Sequence, residues 1–278
     1  MFDDRGRRHG SWPPVGEVVF RLSGRIGIVR GVETRPVGSA SVQGLLAALL
    51  LERGQYVAKD RLVEALWDEP PRSAMENLRG YVWRLRRVLA EIRPAAERSL
   101  TTVAGNRGGY ALTAPPEQVD VLRFADLAEQ ASVHLRAGKI DQARAGFSGA
   151  LALWNGPVGQ GGAASRALQA RFHALDRLQL TVRERLVHVK LLQGHSAEVI
   201  PELQSLVGAA PHRETSWALL MRACYLAGDL AGAMSTWRLA TRSLADEFGL
   251  DPSDRFRELH GRILHRDEDG VRYSVLPA

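Results

Sequence analysis

The chain has 278 residues, of which 45% are apolar, and its formal net charge is +6. This length accommodates two domains with their own cores, and the sequence contains no run of eighteen apolar residues that would predict a membrane helix. The single cysteine, Cys224, excludes an intramolecular disulfide and a cysteine-based metal cluster. The eight histidines show no ligand spacing. We therefore expect a cytoplasmic protein with no cofactor, no metal and no membrane partner.

The positive charge is concentrated in the first part of the chain. Residues 1–115 contain 18 basic and 12 acidic side chains, whereas residues 116–278 contain 19 of each. A basic domain joined to a neutral one is typical of a polyanion-binding module that carries a regulatory or protein-contact module. A margin of six charges also arises by chance, so the charge alone leaves both interpretations open.

In chain order, the hydrophobic pattern predicts three antiparallel strands, three helices and a hairpin. Residues 1–17, which are charged and contain Pro and Gly, precede them as a predicted disordered tail. The strands are expected at 18–22, 25–29 and 32–37, the helices at 39–53, 59–67 and 74–91, and the hairpin strands at 100–103 and 110–112. This order is that of a winged helix-turn-helix domain, which we place at residues 18–114.

The third predicted helix carries most of the information about function. Ala74, Leu78, Val82, Leu85 and Leu89 fall on one side of a helical wheel and form a core-facing stripe. The polar side is rich in arginine, and its acidic residues, Glu76 and Glu91, stand only at the ends. A large tryptophan at position 83 among these arginines indicates a surface that is covered by something anionic and partly apolar. A DNA major groove fits that description.

We expect this helix to contact DNA through Arg79, Trp83, Arg84 and Arg87, and the alternative is a solvated cationic face. An arginine can pair bidentately with guanine, and Trp83 can lie against a thymine methyl group or a sugar. Three further residues of the helix have two interpretations each. Arg86 either flanks the surface or binds a phosphate, Gly80 either admits the DNA backbone or is merely tolerated, and Asn77 either reads adenine or caps the helix.

The hairpin supplies the second candidate contact, the wing. Asn106 and Arg107 stand at its tip and would reach a minor groove or a phosphate. The flanking Gly105, Gly108 and Gly109 are expected to provide positive φ angles for the turn. An ordinary turn is the alternative interpretation.

The second part of the chain, residues 118–265, is predicted to be helical and repetitive. Gly138, Gly194 and Gly228 punctuate similar phrases, and the last two are 34 residues apart, which is the tetratricopeptide period. The longer first interval is explained by an insertion, whose loop we place at residues 155–166. Pro115 and Pro116 form a hinge before this domain, and residues 266–278 are predicted to be a C-terminal tail. Such helical repeats leave a concave surface that binds a protein.

With these elements in place, the chain resembles the Streptomyces antibiotic regulatory protein family. In that family an OmpR-type winged helix precedes a bacterial transcriptional activation domain, and the resemblance covers residues 18–265. The order and spacing of several short motifs carry it. They lie at residues 60–67, 81–89, 108–112, 119–124, 150–154 and 247–252.

The resemblance implies an activator of secondary-metabolite genes that binds direct repeats near promoters as a side-by-side dimer and recruits RNA polymerase. It implies that the loop with Asp68, Glu69 and Arg72 contacts a polymerase subunit or a sigma factor, although a simple helix connector is the alternative. Similar proteins often carry a basic residue in the first helix. In this chain the start of that helix, residues 39–43, is uncharged, so a phosphate contact from it would come from Ser39, Ser41 or Gln43. No phosphate-binding Gly-x-x-x-x-Gly-Lys-Ser/Thr motif occurs, and no ATP-dependent step is expected.

The sequence therefore predicts a mainly α protein with a small β component, in which a winged helix-turn-helix precedes a tetratricopeptide-like domain. We expect a DNA-binding transcriptional activator located at the nucleoid. The alternative is a tetratricopeptide-like adaptor whose basic domain binds a partner other than DNA. Catalysis is not expected, because no acid, base and nucleophile converge in the sequence.

Overall fold

The computed structural model describes residues 18–30, 33–92, 99–104 and 108–274, and it is mostly helical with two small sheets. The predicted fold class, a winged helix-turn-helix followed by tetratricopeptide-like helices, is confirmed. The tail predicted at residues 1–17 lies outside the described residues.

The described residues form two compact units. The first comprises the chain up to Leu127 together with Ala150–Leu178, and the second comprises Ala128–Gly149 and the chain from Gln179 onward. These units differ from the domains predicted at residues 18–114 and 118–265, because residues 118–127 and 150–178 pack with the first unit. The domain boundary at Pro115 and Pro116 stays a prediction, because the compact units divide the chain by packing and not by sequence pattern.

The first unit contains the predicted strands, helices and hairpin, together with one short strand that the sequence did not predict. Its elements are β1 (Val18–Arg21), β2 (Gly27–Arg30), β3 (Glu33–Pro36), α1 (Ala40–Leu50), β4 (Val57–Ala58), α2 (Lys59–Leu66), α3 (Ala74–Ile92), β5 (Leu100–Val103) and β6 (Gly109–Leu112). Strands β1, β2 and β3 form an antiparallel sheet in that order, and β6 lies between β4 and β5 in the other. Strand β4 has only two residues, too few to show an alternating pattern.

Helix α1 lies at the centre of this unit, since every residue from 42 to 50 is buried. Its leucines Leu45, Leu46 and Leu49 are fully inaccessible to solvent. The stripe of α3 faces the same core, where Leu78, Val82, Leu85 and Leu89 are at most 2% exposed. Burying one such side chain stabilises the fold by about 1.5–3 kcal/mol. This stripe therefore fixes which side of α3 faces outward.

Residues 155–165, which we call the crossover segment, are held to the winged helix by backbone hydrogen bonds. Ile26 N donates to Gln160 O at 3.1 Å, and Gly159 N donates to Leu22 O at 2.9 Å. Farther along, Ala163 N donates to Ala40 O at 2.8 Å. The loop predicted at 155–166 is thus an irregular segment, but it is bonded to the strand and helix ends of the first unit.

Asp120, the first residue of helix α4 (Asp120–Arg136), anchors the chain to the end of β1. Its side chain is 1% exposed and accepts hydrogen bonds from Leu22 N (2.8 Å), Ser23 N (2.9 Å), Ser23 Oγ (2.6 Å) and Val121 N (2.7 Å). Burial raises the pKa of this carboxyl, whereas the four donors favour its ionised form. Because every partner is a donor, the carboxylate is the form that satisfies the site.

The remaining helices carry the predicted repeats. They are α4 (Asp120–Arg136), α5 (Ile140–Leu151), α6 (Arg166–Leu192), α7 (Ser196–Ala209), α8 (Glu214–Leu226), α9 (Leu230–Phe248), α10 (Asp254–Leu264) and α11 (Glu268–Arg272). A glycine follows the end of three of these helices. The φ angles of these glycines, Gly138, Gly194 and Gly228, are +71°, +86° and +86° respectively. Only glycine adopts this left-handed conformation at little cost, so these residues turn one helix of a pair into the next.

The C-terminal tail predicted at residues 266–278 is wrong for the part that forms α11. Val271 of this helix is fully buried, and the buried Arg222 of α8 donates through Nε to Val271 O at 3.0 Å and through Nη2 to Arg272 O. Burial, and secondarily the charge of Arg222, lower the pKa of the adjacent His188 to about 3. A neutral His188 Nδ1, 3.0 Å from Arg222 Nη1, accepts the third hydrogen bond. A helix of five residues has no periodicity that a sequence pattern can reveal.

We expect Asp120→Asn to lower the free energy of unfolding by about 3 kcal/mol, because an amide nitrogen replaces an oxygen that faces buried donors. Urea unfolding followed by circular dichroism measures this loss. Asp126→Asn is the control, since Asp126 forms an exposed 3.2 Å ion pair with Arg53 that should contribute less than about 1 kcal/mol. Equal effects of the two changes would contradict the anchoring role of Asp120.

Two helical glycines should respond oppositely to alanine. A Cβ on Gly80 of α3 would meet nothing within 4 Å, so Gly80→Ala should stabilise the protein by about 0.5–1 kcal/mol through helix propensity. A Cβ on Gly44 of α1 would lie 1.9 Å from Ala163 O of the crossover segment. Gly44→Ala should therefore destabilise the protein by about 1–3 kcal/mol or more. Urea midpoints of the two variants test this, and a stable Gly44→Ala protein would mean that the crossover segment does not pack on α1.

Candidate nucleic-acid interface

The outward side of α3 is a solvent-exposed surface of arginines around one tryptophan. Arg79, Arg84 and Arg87 are exposed, and Trp83 is 60% exposed although it is a large apolar side chain. They stand opposite the buried stripe of the same helix, as the sequence predicted. We refer to these four residues, Arg79, Trp83, Arg84 and Arg87, as the α3 surface.

Aromatic rings support two of the arginines. The guanidinium carbon of Arg87 lies 5.7 Å from the centre of the Trp83 ring, and that of Arg84 lies 6.0 Å from the centre of the Tyr81 ring. Tyr81 in turn stacks on Trp67, with their ring centres 5.9 Å apart. Cation–π contacts at exposed sites contribute about 0.5–1 kcal/mol each, so they restrict these side chains without sequestering their hydrogen-bond donors.

Glu91 is a participant to which the sequence reasoning assigned no role. Its Oε1 accepts a hydrogen bond from Arg87 Nε at 3.4 Å, and both side chains remain mostly exposed. The signal was present in the sequence, since an arginine and a glutamate four residues apart are neighbours on one helix face. Glu91, at the end of α3, therefore contacts Arg87 of the α3 surface directly.

Arg86 has a structural role, and neither predicted interpretation describes it. Its Nη2 donates to Leu100 O at 3.1 Å and to Thr102 Oγ1 at 2.7 Å, and its Nε donates to Leu100 O at 3.3 Å. These bonds join α3 to strand β5 and leave Arg86 half-buried. We therefore remove Arg86 from the candidate DNA contacts.

The two remaining α3 positions also become clearer. Asn77 Nδ2 donates to Ser73 Oγ at 3.1 Å, and Asn77 N donates to Ser73 O at 2.9 Å, which is a local contact at the helix start. The Asn77 side chain therefore donates to a neighbouring side chain and not to a base in this structure, and its roles in capping or in reading adenine stay predictions. Gly80 borders open space on the outward side, so its lack of a side chain leaves room for close approach.

The predicted wing contacts, Asn106 and Arg107, lie outside the described residues, as does Gly105. The base of the hairpin is described and is well packed, with β6 between β4 and β5. The positive φ expected at Gly109 is wrong. A Cβ there would lie 2.1 Å from Val57 O and 2.5 Å from the Tyr56 ring, so glycine is required for close strand approach.

The phosphate contact expected from the first helix is wrong for Gln43. This residue is 6% exposed, and its Nε2 donates to Gly38 O at 3.1 Å, so it faces the interior. Ser39 is exposed at the start of α1 and its side chain makes no capping hydrogen bond. Ser41 is half-buried. Of the three residues, the serines alone retain access to solvent.

The loop between α2 and α3 is exposed, but one of its three candidate residues is committed to an intramolecular contact. Asp68 Oδ1 accepts a hydrogen bond from Arg166 N at 2.9 Å, at the first residue of α6. A carboxylate at a helix start is stabilised by the unpaired amides and the helix dipole. Glu69 and Arg72 are exposed on the same loop. The loop thus presents one acidic and one basic side chain beside the end held by Asp68.

The described residues contain neither a metal-binding cluster nor a membrane-spanning helix. Within residues 18–30, 33–92, 99–104 and 108–274, no group of three or more His, Cys, Asp or Glu residues could hold a metal ion. No helix in that part of the chain is long and apolar enough to cross a membrane.

Comparison with known proteins gives two matching families. The bacterial transcriptional activator domain matches residues 119–264, and the family described as "transcriptional regulatory protein, C terminal" matches residues 38–112. Together they cover the winged helix and most of the helical repeats, in the order that the sequence analysis predicted.

Individual relatives agree with this assignment. The regulatory protein AfsR of Streptomyces coelicolor is 36% identical over 265 residues, which are 95% of this chain and 26% of AfsR. The transcriptional regulator RedD of the same organism is 32% identical over 253 residues, covering 91% of this chain and 72% of RedD. The chain therefore spans about a quarter of the length of AfsR but most of RedD.

A solved structure shows the same fold. Mycobacterium tuberculosis EmbR, in complex with a low-affinity phosphopeptide, matches with a TM-score of 0.82 and 28% identity, over 92% of this chain and 68% of that chain. Because one family model covers more than half of the residues and RedD is matched over most of its length, the chain belongs to the Streptomyces antibiotic regulatory protein family of transcriptional regulators.

Proposed function

We propose that this protein is a sequence-specific DNA-binding activator in which the α3 surface enters a major groove. The observation that supports this most is the pairing of a fully buried apolar stripe with an exposed arginine and tryptophan surface on one helix of a winged fold. A tryptophan that is 60% exposed leaves most of its apolar surface in water, which is the pattern of a side chain that a partner covers. Contact with a groove would cover its ring and neutralise the charges.

The residues of the α3 surface are assigned different tasks. Arg87 and Arg84 are assigned to base edges, where a guanidinium pairs with guanine O6 and N7, and Trp83 is assigned to a thymine methyl group or a sugar. Arg79, with the serines at the start of α1, contacts phosphates, which fix the orientation of a protein on DNA but carry no sequence information. Asn106 and Arg107 of the wing would contact the minor groove or its phosphates.

The finer regulatory role rests on the family. We propose that side-by-side protomers bind direct repeats near promoters of secondary-metabolite genes. This is the manner implied by the family of this chain, which is similar to AfsR and RedD. Glu69 and Arg72 are exposed residues of the loop that would meet RNA polymerase or a sigma factor, and Asp68 holds that loop to α6. The helical domain would fix protomer spacing or contact polymerase, and no catalytic step is required of it.

We expect Arg84→Ala and Arg87→Ala each to weaken binding to an upstream promoter duplex by at least about tenfold, because each loses a charge-assisted contact with the groove. A mobility-shift titration measures the affinity, and circular dichroism verifies that helicity is retained. Arg238→Ala is the control, since Arg238 is an exposed arginine of α9, a helix of the second unit that is not part of the α3 surface.

The wild-type affinity should also fall steeply as salt rises, because phosphate binding releases counterions.

Two results would contradict the proposal. Unchanged binding by both variants would remove the α3 surface from the interface. An affinity that does not depend on salt, or no binding to any duplex, would favour the adaptor interpretation in which the basic domain has a partner other than DNA.

A further inference from the structure

Among the arginines of the α3 surface, Arg87 is held on two sides. Trp83, four residues earlier, lies under its guanidinium at 5.7 Å, and Glu91, four residues later, accepts from its Nε at 3.4 Å. Residues four apart are neighbours on a helix, so Trp83, Arg87 and Glu91 form one line along the outward side of α3. One face and one edge of the guanidinium are thereby occupied.

The remaining donors of Arg87 are its two terminal nitrogens. A guanidinium is a rigid planar fork, so fixing Nε and one ring face also fixes where Nη1 and Nη2 point. In the described part of the chain neither Nη1 nor Nη2 of Arg87 has an intramolecular hydrogen-bond partner. This end-on pair is the kind of donor set that guanine O6 and N7 accept bidentately.

The other arginines of the surface lack this arrangement. Arg84 rests on the Tyr81 ring, but within the described residues no carboxylate lies at ion-pair distance from Arg84 or Arg79. A carboxylate on a DNA-facing surface also repels phosphates, so Glu91 opposes the sequence-independent part of the affinity. Its effect on Arg87 is therefore separable from its effect on net charge.

We propose that Glu91 is a specificity-determining positioning residue, which orients Arg87 so that its terminal nitrogens meet one guanine. This inference rests on the proposed function, since it presumes that the α3 surface reads DNA. Glu91 acts through Arg87 and does not itself contact a base. An exposed ion pair of this spacing is equivalent to about 1.5- to 2-fold in an equilibrium constant, and an exposed cation–π contact to about two- to fivefold.

The test compares two duplexes and full-length variants. The first duplex is the consensus enriched from a random library by the wild-type protein, and the second is a scrambled sequence of the same composition. We expect Glu91→Gln to bind the scrambled duplex at least as tightly as the wild type does, while the ratio of the two affinities falls by about 1.5- to 2-fold, because the ion pair is lost and the contact with Trp83 is kept. Glu76→Gln is the matched control, because it removes the same charge from the first turn of α3 and should leave the ratio unchanged.

A double-mutant cycle separates positioning from charge. In an Arg87→Ala background, Glu91→Gln should no longer change the affinity ratio, because the residue through which it acts is gone. A new enrichment with Glu91→Gln should lose its preference at the same base pair as Arg87→Ala does. Because Glu91 is 60% exposed in the pair, the urea midpoints of these variants should match that of the wild type.

An unchanged or higher affinity ratio for Glu91→Gln would overturn this inference, and it would leave the proposed function intact if Arg84→Ala and Arg87→Ala still lose binding. A change of ratio that persists in the Arg87→Ala background would also overturn it. Failure of the wild type to enrich any sequence would contradict the proposed function, and the role of Glu91 with it.

Discussion

The burial of one side of α3 is the constraint on which the rest of this structure depends. Four apolar side chains of the helix, each at most 2% exposed, fix its rotation about its own axis. Turning the helix would expose these side chains at a cost of about 1.5–3 kcal/mol each. Exposing all four would cost about as much as the whole stability of a domain. The arginines and Trp83 are thus held outward by the core, and the DNA-reading surface that we propose is a consequence of how the winged helix packs.

Two further sets of contacts hold the scaffold around α3 within the first unit. The carboxylate of Asp120 satisfies the amides at the end of β1, where an unpaired buried donor would cost about 1–3 kcal/mol. The crossover segment bonds to the start of α1, and Ser165 N donates to Ala65 O of α2 at 3.0 Å. Directly after it, Arg166 meets Asp68 in the loop that precedes α3. Residues far along the chain therefore set the positions of the loop and helices from which the proposed contacts are made.

The parts of this fold that the sequence predicts well are those with strong local periodicity. The third helix was expected at residues 74–91 and is observed at Ala74–Ile92, because its apolar stripe repeats over five turns. The glycines that turn between helices were recognised because their spacing matches the repeat. The crossover segment was recognised as irregular by composition, but its partners in the winged helix lie a hundred or more residues away in sequence and leave no local pattern.

The candidate site shows the same limit. A helical wheel separates Leu85 from Arg84, but it cannot show that Arg86 bonds to β5 or that Gln43 is enclosed, since both depend on tertiary packing. The pairing of Arg87 with Glu91 was readable from their spacing, but only the geometry shows that Nε is the nitrogen involved. The sequence therefore identifies the surface, and the structure distinguishes the side chains that support the scaffold from those available to a partner.

A DNase footprint of the full-length protein on the region upstream of neighbouring genes tests the central claim most directly. If side-by-side protomers insert α3 into successive major grooves, protection should appear as tandem, evenly spaced sites in one orientation. An absence of protection on such DNA, or protection without regular spacing, would contradict the account of this protein as a DNA-reading activator.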